Sequence, residues 1–378
     1  MDSTPRLSVR DLRLRGVHVP LRLPLVTRGG TIEIAPLALV DLLTDEGVTG
    51  SAYLFCYTPL ALKPVLQTLA NLLPLLRGQP VAPLALDRSL RQRFRLLGDK
   101  GVVGMALAGL DMAAWDALAR SQGLPLVSAF GAAPRPIPAY NSRGLGLVGA
   151  SRLGDEAARL AEGFGAVKLR LGYDDPREDL AALRAVRRAV GDGVALMSDY
   201  NQGLTVADAL TRVAMLAGEG LAWVEEPTAA DDHAGHAEIR RRTGVRIQLG
   251  ENWWGPHEMA ASLAAGASDL GMPDAMKIGG VTGWQRAAAL AEAARLPISS
   301  HLFPELSVHL LAASPTAHWL EYVDWADPVL QTPLRIEDGQ ATPPDRPGTG
   351  IEWDEAAEEA AAAQAALKRG DGAAATAH

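Results

Sequence analysis

One cysteine, Cys56, stands in 378 residues. A lone thiol excludes internal disulfides and any thiolate metal cluster. Basic residues are outnumbered, 36 Lys and Arg against 44 Asp and Glu, for a net charge of −8. Nucleic acids and membrane surfaces are bound through basic patches, so neither is an expected partner. No apolar run reads as long enough to span a bilayer, and the opening MDSTPRLSVR has no apolar signal core, so the cytoplasm is the expected compartment. No G-x-G-x-x-G follows an early strand and no Walker loop occurs, which weakens a nucleotide-binding doubly wound sheet. Nucleophilic hydrolysis is as poorly served, with no G-x-S-x-G motif and no Cys–His pairing.

What is present is the composition of a soluble globular protein, 48% hydrophobic and 21% charged, in one large or two ordinary domains. Residues 7–55 read as strands: LRLRGVHVPL and IAPLALVDLLT flank a loop near Arg28–Gly30, and GVTGSAYLF follows. From about Leu60 the pattern turns helical, through ALKPVLQTLANLLPLL and GMALAGLDMAAWDALARSQG, and the Pro-rich AAPRPIPAY closes this part. Strands followed by helices predict an α+β domain. From Ile137 short apolar runs alternate with helical segments, the runs ending near Asn141, Lys168, Asp199, Glu225, Glu251, Asp274, His301 and Glu321. The clearest helix, TVADALTRVAMLAGEG, puts Val206, Leu210 and Val213 on one face behind a Thr205/Asp208 capping pair. Eight strand ends predict an α/β fold, a modified (β/α)8 TIM-type barrel with an N-terminal α+β capping domain. The expected boundaries are 1–133 for the cap, 134–326 for the barrel, and 327–378 for a C-terminal segment that packs back on the cap and ends in a disordered tail.

Asp199 in LMSDYNQ, Glu225 in WVEEP and Glu251 in VRIQLGEN each close an apolar run, 26 residues apart. A strand, a helix and two loops use about that many residues, so three consecutive strands would deliver three carboxylates to one rim. Converging carboxylates repel one another unless a cation neutralises them, and a hard oxygen donor set suits Mg²⁺. In GAVKLRLG, Lys168 and Arg170 alternate along a strand and share the inward face, as suits a pocket for an anion. Asp274 in GMPDAMKIGG and His301 in SSHLF fall on neighbouring strands, where a buried Asp fixes the His tautomer and makes it a general base. Glu321, ending AHWLE, completes the ring, and to assist an anionic substrate it would need a raised pKa. His233 and His236 in HAGHAE read as a wet helix face.

The runs LMSDYNQ, WVEEPT, LGENWWGP, MPDAMKIGGVTGW, SSHLF and PTAHWLE, with APLALVDL, YLFCYTP and GLDMAAWDAL before them, resemble the enolase superfamily and within it the mandelate racemase family, over nearly the whole chain. The resemblance implies that Asp199, Glu225 and Glu251 hold Mg²⁺, and that the metal and Lys168 bind the carboxylate of a 2-hydroxy acid. It implies His301, paired with Asp274, as the base on one face of the α-carbon and Glu321 as hydrogen-bonding the enediolate oxygen. Asn201 and Ser142 are implied as polar contacts, with Lys277 nearby. Leu25 and Ile32 from a flap, with Phe55, Tyr57 and Leu96 beneath it, would form an apolar lining that favours an aryl or hydrophobic acid. A large homo-oligomer, such as an octamer, is implied as well.

One position departs from that family: the second lysine of its Lys-x-Lys pair is Arg170 here. A guanidinium gives up its proton only above about pH 12, and racemisation needs one group to take a proton and another to return it from the opposite face. Three readings follow. They are a racemase with a compromised second base, an acid-sugar dehydratase that works with the His–Asp dyad alone, and a metal-binding pseudoenzyme. Against the last stand the intact Asp199, Glu225, Glu251, Asp274, His301 and Glu321.

Overall fold

A computed structural model describes residues 7–357. Strands β1 (Val9–Thr27), β2 (Gly30–Thr44) and β3 (Thr49–Phe55) form an antiparallel meander, in register through Val17↔Leu37 and Val40↔Ala52. β2 is buried on both faces from Ala35 to Leu42, as its apolar run Ala35–Val40 requires, and the buried Asp41 follows it. Helices α1 (Pro59–Leu76), α2 (Pro83–Arg93), α3 (Gly101–Ser121) and the short α4 (Leu126–Ala129) follow. A Cβ on Gly50 would lie 2.0 Å from the Ala113 carbonyl, so only glycine lets β3 approach α3 this closely.

By length and composition α1 and α3 are apolar enough to cross a membrane, which corrects the reading that no run is. In α3 that apolarity is spent in the core, where 78% of its most apolar window is buried. α1 buries only one stripe: Leu62, Val65, Leu69, Leu72 and Leu76.

The barrel alternates β4 (Ile137–Asn141), α5 (Ala150–Ala161), β5 (Ala166–Arg170), α6 (Pro176–Val190), β6 (Ala195–Asp199), α7 (Val206–Met215), β7 (Leu221–Glu225), α8 (His233–Thr243), β8 (Ile247–Leu249), α9 (Pro256–Ala265), β9 (Leu270–Gly271), α10 (Gly280–Ala294), α11 (Pro304–Ala312) and β10 (Leu320–Tyr322). Parallel pairing runs from β10 through β4 to β9. Single bridges Gly271↔Ile298, Asp274↔His301 and Ile298↔Ala317 carry the ring from β9 back towards β10. The expected seventh strand is thus reduced to bridges, and Glu251 and Asp274 lie just past their strands. Lys168 sits inside β5, which ends at Arg170. Thr205 caps α7 by accepting from the Asp208 amide; Val213 is buried there, while Val206 and Leu210 are half-buried.

A G-x-G-x-x-G run does occur, at Gly144–Gly149, between β4 and α5. Its middle glycine serves packing: a Cβ on Gly146 would lie 2.5 Å from the Val26 carbonyl. His236 is fully buried rather than on a wet face, its Nδ1 lying 2.9 Å from the Asp232 carbonyl. Burial pushes its pKa down to about 4.

After β10 come a short 3-10 helix (Asp327–Val329) and β11 (Gln340–Ala341), which pairs antiparallel with β4. The chain then reaches the N-terminal sheet and helices: Trp353 Nε1 donates to Asp41 at 2.7 Å, and Thr349 Oγ1 donates to Asp116 at 2.8 Å. The disordered tail expected at the end of the chain, GDGAAATAH, lies outside the described residues.

Candidate active site

Parallel register fixes the rim. Arg170 pairs with Asp199, Asp199 with Glu225, and Glu225 with Gln248, so neighbouring inward residues share one level. Oxygens of Asp199, Glu225 and Glu251 lie within 4.8 Å of one another. This all-oxygen set fits a hard divalent cation. Burial raises the Asp199 and Glu225 pKa values, the latter to about 8, and neighbouring carboxylates push the same way against the lowering charge of Lys168. Such a cluster is costly without positive charge.

Lys168 supplies part of that charge. Its Nζ lies 2.8 Å from Glu225, 2.9 Å from Glu321 and 3.6 Å from Asp199. Arg170 is tied differently. Its Nη1 donates to the carbonyls of Ser142 (2.7 Å) and Gly144 (3.3 Å), and Nη2 to Ser142 Oγ (2.9 Å). Its Nε is buried with no hydrogen-bond partner among the described residues, and the residue borders the cavity.

On the other side His301 Nδ1 meets Asp274 Oδ2 at 2.7 Å. Asp274 Oδ1 accepts from the Met276 and Lys277 amides, which locks the carboxylate. His301 Nε2 is 3.4 Å from Glu251 and 4.0 Å from Glu321. Burial lowers the imidazole pKa, but Glu251, Glu321 and Asp274 outweigh it and raise it to about 9. Glu321 behaves opposite to expectation. Although burial favours its acid form, Lys168, His301 and the Leu302 amide (2.9 Å) hold it well below the usual carboxylate range. A cation and an amide donor, both at 2.9 Å, favour its carboxylate form.

A cavity of about 260 Å³ opens above these groups. Leu25, Ile32, Phe55, Tyr57, Ser142, Asn201 and Lys277 border it as expected. Leu96 does not: it lies in the turn after α2 and is 98% exposed. Sequence reasoning passed over Leu302, Val323 and Trp325; Trp325 packs its ring 5.0 Å from that of Phe55. The aromatic four residues after Glu321 was the available signal. Also missed was Asn252, which donates to Glu226 at 2.8 Å and to Glu251 at 3.1 Å and accepts from Lys277 Nζ at 2.5 Å. Asn201 holds Asp199 through its amide (2.7 Å) and Nδ2 (2.9 Å). Tyr57, Asn201, Gln202 and Leu302 all carry positive φ, so backbone strain gathers at this cavity.

A barrel rim with three convergent carboxylates, two buried cations and a His–Asp dyad defines a metal-dependent enzyme of the α/β-barrel class. Residues 9–131 match the mandelate racemase / muconate lactonizing enzyme N-terminal domain and residues 152–357 the enolase C-terminal domain-like family. The chain therefore belongs to the enolase superfamily, in its mandelate racemase-like branch, and is a Mg²⁺-dependent enzyme. It is 32% identical to the 3,6-anhydro-alpha-L-galactonate cycloisomerase of Streptomyces coelicolor, over 89% of this chain and 94% of that one. With the L-talarate/galactarate dehydratase of Salmonella typhimurium it shares 32% identity over 69% of this chain and 66% of that one. A Bradyrhizobium enolase solved with magnesium and mandelic acid superposes with a TM-score of 0.90 at 44% identity, covering 94% of this chain and 98% of the other.

Proposed function

We propose that the chain abstracts the α-proton of a 2-hydroxy carboxylate bearing an apolar or aryl substituent, with His301 as the base, in a racemase-like reaction. The carrying observation is the dyad: Asp274 engages Nδ1 at 2.7 Å, which leaves Nε2 facing the carboxylate cluster. Donation of Nδ1–H to Asp274 makes Nε2 the proton acceptor. Lys168 lies where it can meet a substrate carboxylate, and the step yields an enediolate. Asp199, Glu225 and Glu251 would hold Mg²⁺, whose charge would stabilise the enediolate and offset the carboxylate field around His301. Leu25, Ile32, Phe55, Leu302, Val323 and Trp325 offer the substituent an apolar wall. Racemisation then requires proton return from the Arg170 face, which makes that direction the slow one.

Dehydration is the second reading, and a specific observation favours it. Arg170 is fixed by three oxygen acceptors, an arrangement suited to a permanent cation rather than a proton carrier. If a β-hydroxyl departs from the enediolate, no second base is needed. The dehydratase relative points the same way. Incubating each enantiomer of mandelate, and a panel of acid sugars, with enzyme and Mg²⁺ in D₂O decides. Solvent deuterium at the α-carbon with loss of optical purity supports the first reading, 2-keto acid the second, and no exchange in any substrate overturns both. Homo-oligomeric assembly and a cytoplasmic site belong to the same proposal, the former testable by light scattering.

A further inference from the structure

Each of the three convergent carboxylates is held by a donor from its own segment. Asp199 accepts from the Asn201 amide at 2.7 Å and from Asn201 Nδ2 at 2.9 Å, and Glu251 accepts from Asn252 Nδ2 at 3.1 Å. Both donors follow their acid in the chain. Glu225 has no such help from the residues after it. Glu226 comes next, its carboxyl accepting from Asn252, and then Pro227, which offers no donor. The donor comes instead from the residue two places earlier on β7, which shares the face of Glu225. There Trp223 Nε1 donates to Glu225 Oε2 at 3.3 Å. Lys168 Nζ engages Oε1 at 2.8 Å, and no other hydrogen bond reaches Oε2 among the described residues.

The indole is itself fixed. Trp223 is fully buried, in a small cluster with Tyr140, Ala166, Met197 and Leu270. The Tyr140 ring meets it edge-on, with centroids 5.6 Å apart and planes at 81°. Charge explains why an indole suits this place. A second cation on Glu225 would repel a divalent ion, whereas a neutral N–H orients the oxygen without that repulsion. Partners that hold a metal-ligating group in this way are worth roughly 10–100-fold in metal affinity. We propose that Trp223 is a positioning residue for the metal site: its Nε1–H holds the Glu225 carboxylate in line with those of Asp199 and Glu251. The inference rests on the Mg²⁺ assignment and holds whether racemisation or dehydration follows.

The test compares two replacements by calorimetric titration of the full chain with magnesium chloride at about pH 8.5, above the ordinary imidazole range. Trp223→Phe keeps an aromatic ring and lacks the N–H. Trp223→His loses the benzo ring but can carry a proton on Nε2, which holds the same place in the five-membered ring as the indole Nε1. Trp223→Phe should weaken Mg²⁺ binding by roughly 10–100-fold, and Trp223→His should recover most of that loss. A packing role alone gives the reverse order, because phenylalanine fills more of the space than histidine. Wild-type affinity in Trp223→Phe overturns the inference, and so does Trp223→His binding no more tightly than Trp223→Phe. If circular dichroism shows that Trp223→Phe does not fold, Trp223→His decides alone. Binding weakened by more than about tenfold against wild type then overturns the inference, and a smaller loss supports it. Wild-type protein that takes up no Mg²⁺ overturns the metal assignment and this inference with it.

Discussion

His301 Nδ1 and Asp274 Oδ2, 27 residues apart in the chain, lie 2.7 Å apart on neighbouring positions of the barrel rim. The bridge between their backbones sets that distance. His301→Asn should cut α-proton exchange from the enantiomer facing it by about a thousandfold, and Asp274→Asn by about a hundredfold. Exchange into D₂O, followed by NMR, measures both; retained exchange in His301→Asn would mean that another group is the base.

EDTA should abolish activity and Mg²⁺ restore it, because three convergent carboxylates, two of them buried, outweigh the single charge that Lys168 brings to them. Even partners that only support metal ligands cost about 10–100-fold in metal affinity when removed. Glu225→Gln should therefore weaken Mg²⁺ binding by at least about tenfold in direct titration. Undiminished turnover by metal-free protein is the contrary result.

Arg170→Lys should raise exchange from the Arg170 face by about tenfold, since an ammonium releases its proton at lower pH than a guanidinium. The variant should also lose stability, because a compact Nζ on a shorter stem cannot span the acceptors that Nη1 and Nη2 reach separately. Unchanged kinetics from both enantiomers would contradict any proton-transfer role on that face. Reduced dehydration without new racemisation would select the one-base reading.

The flap is pinned where Leu147 N donates to the Val26 carbonyl at 2.9 Å, over Gly146. Gly146→Ala would force a methyl to within 2.5 Å of that carbonyl and push the β1 end outwards, taking Leu25 with it. KM should rise about tenfold with little change in Tm, because the lost contacts position substrate and do not build the core. An unaltered KM would show that flap placement does not matter to binding.

His309 joins α11 to two other segments: its Nδ1 accepts from the Val127 amide at 3.2 Å, and Nε2 lies 3.3 Å from the Thr349 carbonyl. Burial lowers its pKa to about 4, against the Thr349 contact that raises it. The unfolded chain takes up this proton near pH 6.5 and the native state only near 4, so the contribution is complete above 6.5 and is lost as pH falls towards 4. At 1.36 kcal/mol per unit it amounts to roughly 3 kcal/mol. Denaturant unfolding of wild type and His309→Gln should therefore differ more at pH 7 than at pH 4.5. A gap independent of pH would assign the residue a packing role alone.

Much of the rim was written in the sequence. A 26-residue interval between Asp199, Glu225 and Glu251 is the length of a βα unit, and the alternation of Lys168 with Arg170 is the period of a strand. Local patterns of this kind depend on backbone geometry, which repeats. What only the tertiary structure decided depends on contacts between distant segments. The Glu321 pKa is lowered because Lys168, 153 residues earlier, sits 2.9 Å away. Leu96 faces solvent because the turn after α2 points away from the cavity, while Trp325 fills a place beside Phe55. His236 is buried although its segment is polar, and Arg170 is a tethered cation because the β4–α5 loop turns two carbonyls towards it. A residue's charge state and its exposure belong to its neighbours in space, and a linear pattern names those neighbours only where the fold repeats.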